Sequence, residues 1–93
     1  CIMKLVDVRN KTIASYNSRG LKDLRRRMNA VESVFGYLLS IGYGMSDEFP
    51  TLDKVVLKNK CRDIKGSELS GAENSVINEF YKQSALHSEA TKL

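Results

Sequence analysis

Tryptophan is absent from this chain, aromatic residues make up 8% of it, and histidine occurs once, at His87. The scarcity of aromatics leaves Leu, Val, Ile and three Phe to supply most of any core. The longest apolar cluster, Val34 to Ile41, is broken by Gly36 and Ser40, well short of the roughly twenty residues a membrane-spanning helix needs. Catalytic signatures are missing as well: there is no CxxC, HExxH, P-loop or GxSxG. Cys61 with His87 is too sparse for a zinc site, which takes four ligands. The adjacent acids Asp47 and Glu48 lie in a loop that offers no sign of the pocket an acid–base pair requires. Neither enzyme chemistry nor a cofactor or metal is therefore expected.

Two cysteines, Cys1 and Cys61, permit at most one internal disulfide. Such a bridge would close about sixty residues and contribute roughly 4 kcal/mol on the chain-entropy model. Two free thiols in a reducing compartment are the expectation, and with them an intracellular location. The first residue is Cys1 rather than Met, which reads as a fragment or processed part of a larger product. A lipoprotein carrying its lipid on Cys1, or a true start at Met3, are the alternatives. Asn10-Lys11-Thr12 matches a glycosylation sequon, which matters only for a secreted form.

What the chain does have is concentrated positive charge. Between Arg9 and Arg27 stand Arg9, Lys11, Arg19, Lys22, Arg25, Arg26 and Arg27 against Asp23 alone, a net +6 in a chain of net +4. Residues 28–93 hold seven basic and nine acidic side chains, a net −2. A localised positive field attracts phosphate, acidic protein surface or anionic lipid. Arginine outnumbers lysine five to two in the window, and its planar fork binds phosphate or carboxylate bidentately.

Hydropathy patterning supplies the fold. Leu21, Leu24, Met28, Val31, Phe35 and Leu38 recur at 3, 4, 3, 4, 3, the rhythm of a helix packed along a seam. Val34, Leu39 and Ile41 widen that stripe, so the second half should be the more deeply buried, and Gly42 and Gly44 end it. Ser70-Gly71-Ala72-Glu73 has the spacing of a capping box, with Ala72, Val76, Ile77, Phe80 and Tyr81 as the apolar face behind it. That face thins toward Ala85, Leu86, Ala90 and Leu93, leaving Leu86 and Leu93 as candidate protein contacts. Thr51 is a plausible N-cap for a helix carrying Leu52, Val55 and Val56 to about Arg62, with a strand over Lys54–Cys61 as the alternative. Ile2, Leu5, Val6, Ile13 and Tyr16 suit one face of a first helix, although a hairpin around Arg9-Asn10-Lys11 fits the same residues.

The expected architecture is all-α: one compact four-helix domain over 1–93, with helices near 2–16, 20–42, 51–62 and 71–90. An N-terminal β-hairpin followed by three helices is the alternative. On the helical register Arg25, Arg26 and Arg27 fan over about 200°. Arg25 and Arg27 then flank the seam, while Arg26, with Lys22 or Arg19, points outward. Arg9 and Lys11 join them only if the first segment folds back beside the second helix. The first turn is electrostatically unfavourable for cations. Their presence there hints at a use, although pairing with acids such as Asp47, Glu48 or Glu73 would also offset it.

The run TLDKVVLKNK from Thr51 to Lys60, followed by Glu68-Leu69-Ser70 and Glu73, resembles part of the small helical Hha/YmoA family, whose members modulate gene silencing through protein contacts. The likeness covers about a quarter of the chain. The spacing of its two parts departs from the family, the last helix lacks the family's pattern around its histidine, and residues 1–50 do not match. No site residues are carried over from it.

The functional expectation is thus a non-catalytic interaction or assembly domain. Its anionic partner, nucleic acid or acidic protein, would be engaged through Arg19, Lys22, Arg25, Arg26 and Arg27. The alternative is an adaptor or oligomerisation module, binding a protein partner or a second copy through the apolar seam or the C-terminal helix.

Overall fold

Helix α1, Leu5–Arg19, starts without a side-chain cap. Its first free amides are instead taken by a loop from later in the chain: Leu5 N–H donates to the Asp47 carbonyl at 2.8 Å and Val6 N–H to that of Met45 at 3.0 Å. Phe49 N–H in turn donates to the Met3 carbonyl at 2.8 Å. The segment before α1 and the loop near residue 48 therefore run antiparallel, with an isolated bridge between Lys4 and Glu48. Non-local backbone thus satisfies the donors that helix starts leave open. Gly20, in the left-handed region at φ 57°, ends α1.

The computed structural model describes residues 3–49 and 52–91, the stretch 86–91 by its backbone alone. Three further helices follow: α2, Leu24–Ile41; α3, Lys54–Lys65; and α4, Gly71–Thr91. The helical alternative thus holds for the N-terminal segment and for Lys54–Cys61. No helix among the described residues is long and apolar enough to cross a membrane. α2 packs against all three other helices, and α4 touches all three as well, so these two form the central pair with α1 and α3 flanking them. The Cα radius of gyration, 12.7 Å, is close to the roughly 12 Å of a compact domain of this length.

The seam of α2 points inward. Val31, Phe35 and Leu38 are buried together with Ala30 and Val34, while Leu21, Leu24 and Met28 pack partly buried at the edge. The second half is the deeper one, as its wider stripe predicts. Leu39 departs from that prediction: it stands 37% exposed, on the outward side of the last turn.

The buried face of α1 is rotated from the expected one. Leu5, Val8, Thr12 and Tyr16 are buried, spaced 3, 4, 4, whereas Val6 is only half-buried. Thr12 can occupy the core because its hydroxyl donates to the Val8 carbonyl at 2.9 Å. That bond removes the cost of burying it. Counting apolar residues alone misses such a position. Ile2 lies outside the described residues.

α3 is capped by Asp53, whose carboxylate accepts from Val55 N–H at 2.8 Å. The expected cap, Thr51, lies outside the described residues. α3 buries Leu57 and Cys61, and α4 buries Val76, Ile77 and Phe80. Phe49 meets Phe80 and Tyr81 edge-on, at ring distances of 6.3 and 5.2 Å. Tyr81 Oη donates to the Leu52 carbonyl at 2.7 Å, which ties the long α2–α3 connection to α4.

Candidate anion-binding face

The seven basic residues of the Arg9–Arg27 window divide by partner. Arg9 lies over the Phe35 ring at 4.7 Å and 3.7 Å from Glu32, and its Nε is buried without an acceptor. It is a packing residue, its charge engaged by a ring face and one carboxylate. Arg19 reaches across to α4 and pairs with Glu79 at 2.6 Å. Neither uses Asp47, Glu48 or Glu73, the acids the sequence suggested.

The other five carry no ion pair among the described residues. Lys11, Lys22, Arg25 and Arg26 are exposed. Arg27 is half-buried, with its Nε donating to the Lys22 carbonyl at 3.3 Å and its guanidinium 5.9 Å from the Tyr16 ring centre. The start of α2 therefore presents adjacent unneutralised arginines, with no acid in its first turn. Asp23 precedes them in the left-handed region at φ 55°, a conformation Asp tolerates better than most residues.

Two clefts open beside these arginines, and α4 supplies the facing wall. One, of about 320 Å³, is lined by Asp23, Arg26, Arg27, Gly71, Ala72 and Ser75. The other, of about 260 Å³, is lined by Tyr16, Arg19, Arg27, Ser75, Asn78, Glu79 and Lys82. Arg27 and Ser75 border both. Lys11, Lys22 and Arg25 line neither. Ser75, Asn78 and Lys82 are exposed and were not anticipated. The signal was present: with Gly71 they recur at 4, 3, 4, a polar stripe on α4 beside the apolar one.

Burial, and then the Glu79 charge, push the Tyr16 phenol above its ordinary value, while Arg27 and Arg19 pull it back. It stays a neutral floor for the cleft. Glu79 is nearly enclosed, its side chain 8% exposed, and Gln83 also donates to it at 3.0 Å.

A second polar cluster lies where α2, α3 and α4 meet. Glu73 is buried, and both its oxygens are in use. Oε1 accepts from Lys65 Nζ at 2.6 Å and Ser70 N–H at 2.8 Å, and Oε2 from Tyr37 Oη at 2.6 Å. Glu73 N–H donates back to Ser70 Oγ at 3.1 Å, which completes the capping box the sequence predicted. Burial pushes this carboxyl up, but the bonds from Lys65, Tyr37 and Ser70 outweigh it and hold it at about 2. Both Glu73 oxygens are committed internally, to groups from α2, α3 and the start of α4, so the cluster is a clamp between helices.

Leu93 lies outside the described residues, as do the side chains of Leu86 and His87 and the whole of Cys1. Cys61 is a buried free thiol. The described residues hold no group of three or more His, Cys, Asp or Glu able to take a metal. Asp47 is occupied in its own turn, accepting from Gly44 N–H at 2.6 Å. Comparison with protein-family models, curated proteins and solved structures gives no match. The local resemblance around Thr51–Lys60 accordingly gains no support as a family relationship.

Proposed function

We propose that this domain binds rather than catalyses, and that it engages an anionic macromolecule through the start of α2. The observation that carries this reading is the lack of neutralisation at Lys22, Arg25, Arg26 and Arg27. The nearby acids Glu73 and Glu79 are buried and already paired with Lys65 and Arg19. Cations set in the first turns of a helix are opposed by the macrodipole. Asp23, at the helix start, makes no ion pair with any of them, so an external anion is the natural complement.

The test is binding of a labelled oligonucleotide and of an acidic peptide at about 50 mM salt, where such contacts are strong. The wild-type domain binds one of them, and Arg25→Ala with Arg26→Ala weakens it at least about tenfold. Failure to bind either probe, or unchanged binding by the double variant, refutes the reading.

One observation favours a protein-binding adaptor as the second reading. Val55, Val56 and Ile64 on α3 are 63, 43 and 43% exposed. The α2 seam is not available for this role, since its central residues are in the core. Sedimentation across a concentration series decides whether the exposed α3 side chains mediate self-association: a monomer throughout counts against it.

A further inference from the structure

The two clefts form one track. They share Arg27 and Ser75, and the α4 stripe Gly71, Ser75, Asn78, Lys82 runs along them. From Gly71 to Lys82 that stripe spans about 16 Å of helix, enough for several nucleotides of backbone. Arg26 stands at one end, Lys82 at the other and Arg27 at the junction of the two clefts, with Ser75 and Asn78 along them as uncharged hydrogen-bonding groups. Of the two acids bordering the track, Glu79 is held by Arg19. Asp23 remains at one end. The track keeps a positive excess along its length.

We infer that this groove between the start of α2 and the face of α4 seats the sugar–phosphate backbone of a nucleic-acid strand. Arg26, Arg27 and Lys82 would contact phosphates, and Ser75 and Asn78 phosphate or sugar oxygens. The inference rests on the anion-binding reading above and adds to it the ligand class and the α4 residues.

The lining favours phosphate over an acidic protein. Protein interfaces draw their energy from apolar and aromatic anchors set in pockets, and this groove has none to offer. Its one aromatic residue, Tyr16, is 2% exposed, and the exposed large apolar side chains, Leu39, Met45, Val55, Val56 and Ile64, lie on α3 or at the far end of α2 and beyond. A phosphate strand needs only cations and hydrogen-bonding groups. The same buried Tyr16 cannot stack on a base, so recognition is of backbone charge and should be indifferent to sequence.

The experiment measures anisotropy of a fluorescein-labelled oligothymidylate about twelve nucleotides long, a duplex of the same length, and an acidic peptide. Lys82→Ala and Asn78→Ala are compared with Lys60→Ala, an exposed lysine of α3 outside both clefts, and with Arg25→Ala plus Arg26→Ala. All the substituted positions are exposed, and thermal melts confirm that each variant is folded. The groove predicts a three- to tenfold loss for Lys82→Ala, on the order of one phosphate contact, a smaller loss for Asn78→Ala, and little change for Lys60→Ala. Preference between single strand and duplex identifies the source of the strand. If the arginine variant loses binding while Lys82→Ala behaves like Lys60→Ala, the groove is wrong and the anion-binding reading survives. If the peptide binds and neither nucleic acid does, the nucleic-acid assignment is overturned. If no probe binds, both fall.

Discussion

Tyr37 of α2 donates its hydroxyl hydrogen to Glu73 of α4 at 2.6 Å, across thirty-six positions of sequence. The acceptor is a buried carboxylate that Lys65 of α3 also holds at 2.6 Å. Three helices thus converge on one charge. Hydrogen bonds to ionised groups are worth more than neutral ones, about 1.5–3 kcal/mol. Tyr37→Phe should therefore destabilise the domain by roughly 1–2 kcal/mol in denaturant titration, with no change of secondary structure by circular dichroism. A double-mutant cycle with Lys65→Met should be non-additive, because both partners serve the same carboxylate.

The same carboxylate sets the acid limit. Its folded value, about 2 against 4.5 ordinarily, is depressed. The stabilisation is therefore fully present above about pH 4.5 and is lost as pH falls toward 2, on the order of 3 kcal/mol in all. Melting temperature measured from pH 6 to pH 2 should fall across that window. In Glu73→Gln, which is less stable at neutral pH, the fall should be shallower.

Cys61 behaves in the opposite direction. Burial, with the Glu73 charge behind it, pushes the thiol up to about 11 from 9.0. The neutral thiol is thus favoured by folding, and its contribution holds below pH 9 and is lost as pH rises through 11. Iodoacetamide at pH 8 should modify Cys61, resolved from Cys1 by peptide mapping, far more slowly in the native protein than in the denatured one, because only the thiolate reacts. The native rate should rise with added denaturant in step with unfolding.

Much of this was legible in the amino-acid order because it is local. The 3–4 spacing from Leu21 to Leu38 gave the buried face of α2, and Ser70 with Glu73 gave the cap of α4. The features that were not legible depend on distant partners or on polar groups playing apolar roles. Thr12 enters the core through a bond to Val8, which no hydrophobicity count records. α1 takes its cap from Met45 and Asp47, forty or so positions away. Arg19 finds Glu79 sixty positions on, so its neutralisation was invisible from the charged window. The facing wall of the groove, Ser75, Asn78 and Lys82, belongs to a helix whose polar side is ordinary until α2 is set beside it.

Arg19 should consequently act on stability more than on binding. Removing it leaves the enclosed Glu79 carboxylate without its guanidinium, at a cost of about 1–2 kcal/mol given that Arg19 is itself 41% exposed. Arg19→Ala should lower the melting temperature measurably, whereas Arg26→Ala should leave it unchanged within error.

The central claim is that free cations beside α4 hold an anionic strand, and its salt dependence tests this most directly. Affinity for a single-stranded oligonucleotide should be measured from about 50 to 200 mM salt for the wild type and Arg26→Ala. Counterion release at about three phosphates predicts a linear log–log plot with a slope near −2, shallower by about 0.7 once Arg26 is gone. A slope near zero, or the same slope in both proteins, would contradict the account.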